Sequence, residues 1–372
     1  DRALWERLEL LADATDRADL LAERLAAAYR AEGLEDGARI ELASRLAEIY
    51  DLRLDRPKAA REYHEHVLRS DSSASRAFDA LESLFTANDS WEDLLGLYQE
   101  QAERVPDAER RRDLLLKICF IFEEVLDKAD DAIEWYAKVL EIQPDDERAN
   151  DALELLYAQT ERWRELAELL DAKLGRSEGD AAIELRYRLG ELHEVHLEDA
   201  AGSVDFYQEV LEAHPTHLRA QEALVRLLED RELRQRAASI LEPIYEKQGA
   251  SPELVKVLEV QLEEVSDTAT QVDLLRRLGA LREKRLGEPL EAFFAYARAF
   301  DLDPADPGPR EELRRLADEQ TLHERYCDVL ERGIRGVEGD VTLRCDLLGE
   351  VASLYETQLD DRERAEDAYR RL

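Results

Sequence analysis

The sequence predicts an all-α protein, an α-solenoid of antiparallel helix pairs in which a unit of about 72 residues, four helices long, recurs along the chain. Three observations lead there. Five small residues, Ala47, Cys119, Gly190, Gly279 and Ala352, fall at intervals of 72, 71, 89 and 73. The same kinds of neighbour return around each of them. Apolar positions within each copy are spaced three and four apart, the period of a helix with one buried face.

Each copy opens on a helix carrying an aliphatic residue just before the small position: Leu46, Ile118, Leu189, Leu278 and Val351. A leucine follows seven residues after it, at Leu54, Leu126, Leu197, Leu286 and Leu359. The partner helix holds a second small residue (Ala60, Ala132, Ser203, Ala292, Ala365) and, four further on, His64, Tyr136, Tyr207, Tyr296 or Tyr369. Small residues at both places let the two helix backbones approach closely. Pro144, Pro215 and Pro304 then stop the second helix, because proline cannot continue one. A further hairpin completes the unit, marked by Ala80-Leu81 and Ala152-Leu153 and by Trp91 and Trp163, again 72 apart. Units are expected to start near residues 41, 113, 184, 273 and 346, after a partial unit at 1–40. The 89-residue interval carries a surplus at 231–249, read as one extra helical segment containing Pro243. Helices of this kind cannot bury their apolar faces singly, so neighbouring repeats must supply the core.

With Ala292, Tyr296, Ala299 and Pro304, and with the Leu278-Gly279 step upstream, the pattern resembles a tetratricopeptide repeat. It departs from the family in two ways: the two small positions are one residue further apart, and the alternate hairpins match poorly. The resemblance implies a right-handed solenoid over nearly all of residues 1–372, with the first helix of each pair lining a concave groove where ligands lie.

Composition narrows the function. Asp and Glu (88) outnumber Lys and Arg (51), a net charge of −37. Such a surface repels phosphate backbones, and no basic stripe offsets it, which argues against nucleic acid. The least polar stretch, LLLKICFIF at 114–122, is far shorter than the roughly 20 residues a membrane helix needs. Three widely spaced cysteines suit a reducing compartment rather than a disulfide framework, so a cytoplasmic location is expected. The chain opens DRALWERLEL and contains no Met, so it is expected to be part of a longer repeat protein.

Candidate site residues come from departures within the repeat. Leu116 and Phe120 lie four apart and share a helix face. The positions matching Phe120 hold Glu48, Glu191, Ala280 and Ser353, and those matching Leu116 hold Ser44, Tyr187, Arg276 and Gly349. An apolar patch in an otherwise polar groove marks an interaction site. Two carboxylate series also recur. Glu41, Asp113, Glu184, Asp273 and Asp346 are expected near helix N-termini, where the macrodipole favours them. Asp51, Glu123, Glu194, Glu283 and Glu356 are expected near helix C-termini, as an acidic ladder facing a cationic partner or as inherited repeat sequence.

Motifs for catalysis are missing: the sequence holds no glycine-rich phosphate loop, GxSxG elbow or CxxC pair. Cys119 stands where other copies hold Ala or Gly and reads as packing. The histidines of HEVH (His193, His196), with His214 and His217 beyond, do not converge as zinc ligands must. No enzyme activity, cofactor or metal is expected. The expectation is a scaffold that binds a peptide or helix of another protein, one with a basic or amphipathic segment. Its anchors would be Leu116, Phe120 and Tyr187, with the acidic ladder selecting charge. A regulatory arm of a larger enzyme and a self-associating structural unit are the alternatives.

Overall fold

The computed structural model describes residues 2–337 and 339–372. All regular structure among them is helical, and no helix is long and apolar enough to cross a membrane. The chain forms two compact units, Asp1–Leu169 and Leu170–Leu372. Each is an all-α stack of antiparallel helix hairpins.

In the first unit the hairpins are α1 (Arg2–Thr15) with α2 (Ala18–Tyr29), α3 (Asp36–Glu48) with α4 (Pro57–Ser70), and α5 (Ser75–Ala87) with α6 (Trp91–Arg104). Then come α7 (Ala108–Phe120) with α8 (Ala129–Ile142), and α9 (Glu147–Gln159) with the start of α10 (Trp163–Leu174). The second unit begins with α11 (Gly179–Val195), α12 (Ala200–Ala213) and the short α13 (Leu218–Leu227). It continues through α14 (Arg234–Gln248), α15 (Ser251–Glu264), α16 (Thr268–Leu281) and α17 (Pro289–Leu302). It ends in α18 (Pro307–Gln320), α19 (His323–Gly336), α20 (Val341–Thr357) and α21 (Arg362–Arg371). Five helices, α11 to α15, occupy the long interval. There α13 packs on both α12 and α14, while α14 and α15 form the hairpin. Pro243 lies inside α14, which buries Ala237, Ala238 and Leu241 completely.

Two kinds of turn alternate. In hairpins such as α5–α6, a backbone N–H reaches back five residues, as Ser90 does to Phe85, Arg162 to Tyr157, Ala250 to Tyr245 and Leu322 to Ala317. In hairpins built on the recurring small residues it reaches back six: Arg56 to Tyr50, Lys128 to Phe122, Asp199 to His193, Glu288 to Arg282 and Asp361 to Tyr355. Three of these helices end in a π turn, at Ile49–Arg53, Ile121–Val125 and Arg282–Leu286. The wider loop takes up the extra residue between the two small positions. Closing it needs a left-handed residue, found at Asp55, Asp127, Glu198, Gly287 and Asp360.

The first helices start about five residues earlier than the sequence suggested, at 36, 108, 179, 268 and 341. Glu41, Asp113, Glu184, Asp273 and Asp346 therefore sit beyond the first turn, where the macrodipole effect has faded. The carboxylates that do cap are Asp107, Asp267 and Asp340, each accepting a backbone N–H three residues on, from Arg110, Thr270 and Leu343.

Candidate functional site

The recurring small residues are where the first helix meets the second. Ala47, Cys119, Ala352, Ala60, Ala132, Ser203 and Ala292 are fully or almost fully buried. Where the first helix has glycine, the aromatic ring of the second rests on it: a Cβ on Gly190 would lie 2.7 Å from Tyr207, and one on Gly279 2.6 Å from Tyr296. Burial pushes the Cys119 thiol far above its usual pKa, with the Glu123 carboxylate adding to the shift, so this cysteine packs and does not react. The four histidines are likewise in structural use or apart: His193 bonds Asp199 at 2.9 Å, and His217 Nδ1 accepts the Ala220 N–H that opens α13. No cluster able to hold a metal ion occurs among the described residues.

The carboxylates expected to form a ladder toward a partner have another task. Glu123 accepts a hydrogen bond from the Tyr136 hydroxyl at 2.7 Å, Glu194 from Tyr207 at 2.6 Å and Glu356 from Tyr369 at 3.0 Å. Asp51 pairs with the ring of His64 in the same register, one helix to the next. Glu283 accepts from Arg315 at 2.7 Å instead, and Arg226 adds a second partner to Glu194. Each carboxylate satisfies a polar group of the same array, which a half-buried hydroxyl or guanidinium requires. Burial and these acceptors push the Tyr136 and Tyr207 hydroxyls well above the ordinary tyrosine value. The ladder is a set of internal ties.

Tyr187 is also engaged internally. It is buried, its ring lies beside those of Tyr207 and His217, and the Arg219 guanidinium covers it at 4.1 Å. The expected anchor is thus absent from the surface: a flat ring between two helices is covered by the arginine of the next, which also reaches Glu184 at 3.1 Å.

Leu116 and Phe120 differ. Phe120 is 58% exposed at the end of α7, and Leu116 is half-buried beside it. Both line an open hollow of about 710 Å³ in the first unit, together with Trp91 and Leu94 of α6, Ile121 and Arg148. Lys117, on the same wall, is fixed by Glu82 of α5 at 2.5 Å, and Glu82 also accepts the Tyr98 hydroxyl. The matching place in the second unit holds about 250 Å³; its walls include Glu246, Leu254, Leu258, Arg277, Ala280, Leu281, Lys284 and Arg285. With Ala280 in place of Phe120 and Leu258 in place of Tyr98, that hollow is smaller and holds more charged side chains. The apolar version occurs in one repeat.

Trp91, in sequence a repeat marker, is part of this hollow, and so is Arg148, for which the sequence does hold a signal: the spacing between Phe120 and Arg148 also separates Glu48 from Arg76 and Glu191 from Arg219.

No family model and no curated protein matches the chain. Among solved structures it is similar to Naa15/Naa10 bound to HypK-THB, at 13% identity and a TM-score of 0.30, over 99% of this chain and 62% of that one. It is also similar to the TPR2AB-domain:pHSP90 complex of yeast Sti1, at 16% and 0.28, over 68% of this chain and 98% of that. The P58(IPK) TPR domain aligns at 16% and 0.25, over 95% and 98%. The chain spans about three fifths of the length of the first of these.

Proposed function

We propose that the protein is an interaction scaffold, not an enzyme, and that it holds a segment of another protein in the hollow of the first unit, with Leu116 and Phe120 as apolar anchors. The observation behind this reading is the exposure of Phe120 inside a hollow whose other walls include Trp91 and Leu94. A large apolar side chain left in water at the centre of a concavity gains about 25 cal/mol for each Å² that a partner covers. Aromatic side chains in such pockets supply most of the binding energy at protein interfaces. Asp51, Glu123, Glu194, Glu283 and Glu356 support the hairpins from within, so the charge of the partner is not set by them. Burial holds Tyr187 to the same supporting role.

The test is affinity capture from a cell extract with the wild-type chain, Phe120→Glu and Leu52→Glu, read by quantitative mass spectrometry. Leu52 is 79% exposed and is not among the residues lining the hollow, so it controls for a lost surface leucine. Proteins retained by the wild type and by Leu52→Glu but lost with Phe120→Glu are the expected result. Identical sets for all three chains would remove the proposal.

A further inference from the structure

At the position of Phe120, two other first helices carry glutamate, and each glutamate meets an arginine 28 residues further on. Glu48 pairs with Arg76, and Glu191 with Arg219 at 3.9 Å. In the α7–α9 copy the arginine has been kept as Arg148 while the glutamate has become Phe120. Arg148 is exposed, lines the hollow and, among the described residues, forms no ion pair. The carboxylate lining the hollow, Asp113, is held by Arg112 at 2.8 Å, and Lys117 is neutralised by Glu82. In a chain of net charge −37, the apolar hollow therefore carries one uncompensated cation.

We infer that the hollow takes a segment of another protein bearing a bulky apolar side chain with an aspartate or glutamate close by, the apolar group resting on Phe120 and the carboxylate replacing the missing glutamate against Arg148. This deepens the scaffold reading and rests on it. Phe120 and Leu116 supply the apolar contact, and Arg148 supplies selection: a planar guanidinium matches a carboxylate in two hydrogen bonds, whereas a lysine brought to the same place meets like charge. The net negative charge of the chain disfavours acidic segments over most of its surface, so a cation beside an apolar hollow sharpens the choice of site.

A random peptide library displayed on phage, selected against the full chain, tests this. The wild type is expected to enrich peptides with a bulky apolar residue and a neighbouring Asp or Glu. For a synthetic peptide of that pattern, followed by fluorescence anisotropy, Arg148→Glu is expected to weaken binding on the order of tenfold. The same peptide with its acids changed to lysine is expected to prefer Arg148→Glu over the wild type. Arg148 is exposed and makes no ion pair among the described residues, so the melting temperature of that variant should match the wild type. Enrichment of basic peptides, or of apolar peptides indifferent to Arg148, overturns the inference; if the latter are still lost with Phe120→Glu, the anchor reading stands. Peptides that bind without regard to Phe120 overturn both. A concentration-dependent dimer in sedimentation that Phe120→Glu abolishes would make a second copy of the chain the occupant and overturn the inference too.

Discussion

At the scale of single residues, one repeat position holds different chemistry in different copies: Glu48 and Glu191 stand where Phe120 does. Gly279 shows the packing limit. Its missing Cβ is the space the Tyr296 ring fills, so Gly279→Ala should cost about 1–3 kcal/mol by overpacking, measured by denaturant unfolding. Burial, followed by the nearby Glu312 and Glu283 carboxylates, pushes the Tyr296 hydroxyl up to about 12, in line with a ring pressed between backbones. In the sequence, the small residues and their tyrosine partners were legible because both recur. The burial of Tyr187 was not, since an aromatic residue in a groove has the same spelling whether an arginine covers it or water does. The ladder could have been decoded: Glu123 to Tyr136, Glu194 to Tyr207 and Glu356 to Tyr369 share one spacing of 13 residues, and a carboxylate recurring one helix before a hydroxyl reads as its acceptor.

At the scale of helices and turns, the departures from the family pattern become geometry. One additional residue in alternate hairpins is absorbed by a six-residue turn closed through a left-handed residue, which keeps the helices in register. Helices start earlier than the repeat pattern suggests because the recurring small residues sit in the helix middle, while the capping carboxylates lie twelve positions upstream. Removing one such cap, Asp267→Ala, should destabilise the second unit by about 1 kcal/mol. Glu178→Ala should cost almost nothing in the same assay, because Glu178 makes no capping bond at the head of α11. A larger loss for Glu178 than for Asp267 would contradict this assignment of the helix starts.

At the scale of the molecule, ion pairs link the first helices of successive hairpins. Arg45 meets Glu9 at 2.6 Å, Lys117 meets Glu82, and Arg277 meets Glu242 at 2.6 Å, each pair 35 or 36 residues apart. Toward the end of the chain the polarity is exchanged: Arg314 of α18 meets Glu350 of α20 at 2.6 Å. Arg277→Glu should therefore cost roughly 1 kcal/mol, and adding Glu242→Arg should recover most of it by copying the exchanged pair. These carboxyls also tie stability to acidity. Burial alone would raise Glu82 and Glu242; bonds from Lys117 and Tyr98 in one case, and from Gln261 and Arg277 in the other, outweigh it and hold both below the usual 4.5. A depressed folded-state value stabilises above the unfolded one and loses that contribution as pH falls through the folded pKa. On acidification below 4.5 the wild type should thus lose more of its melting temperature than a Glu82→Gln, Glu242→Gln variant does.

The central claim is that Phe120 is a surface residue standing where two other repeats place a glutamate, and not part of the core. Thermal melting of Phe120→Glu tests it most directly. The structure predicts a melting temperature equal to or slightly above that of the wild type, because the new carboxylate can pair with Arg148 as Glu48 pairs with Arg76. A fall of several degrees, as expected when a charge is forced into a packed interior, would contradict it.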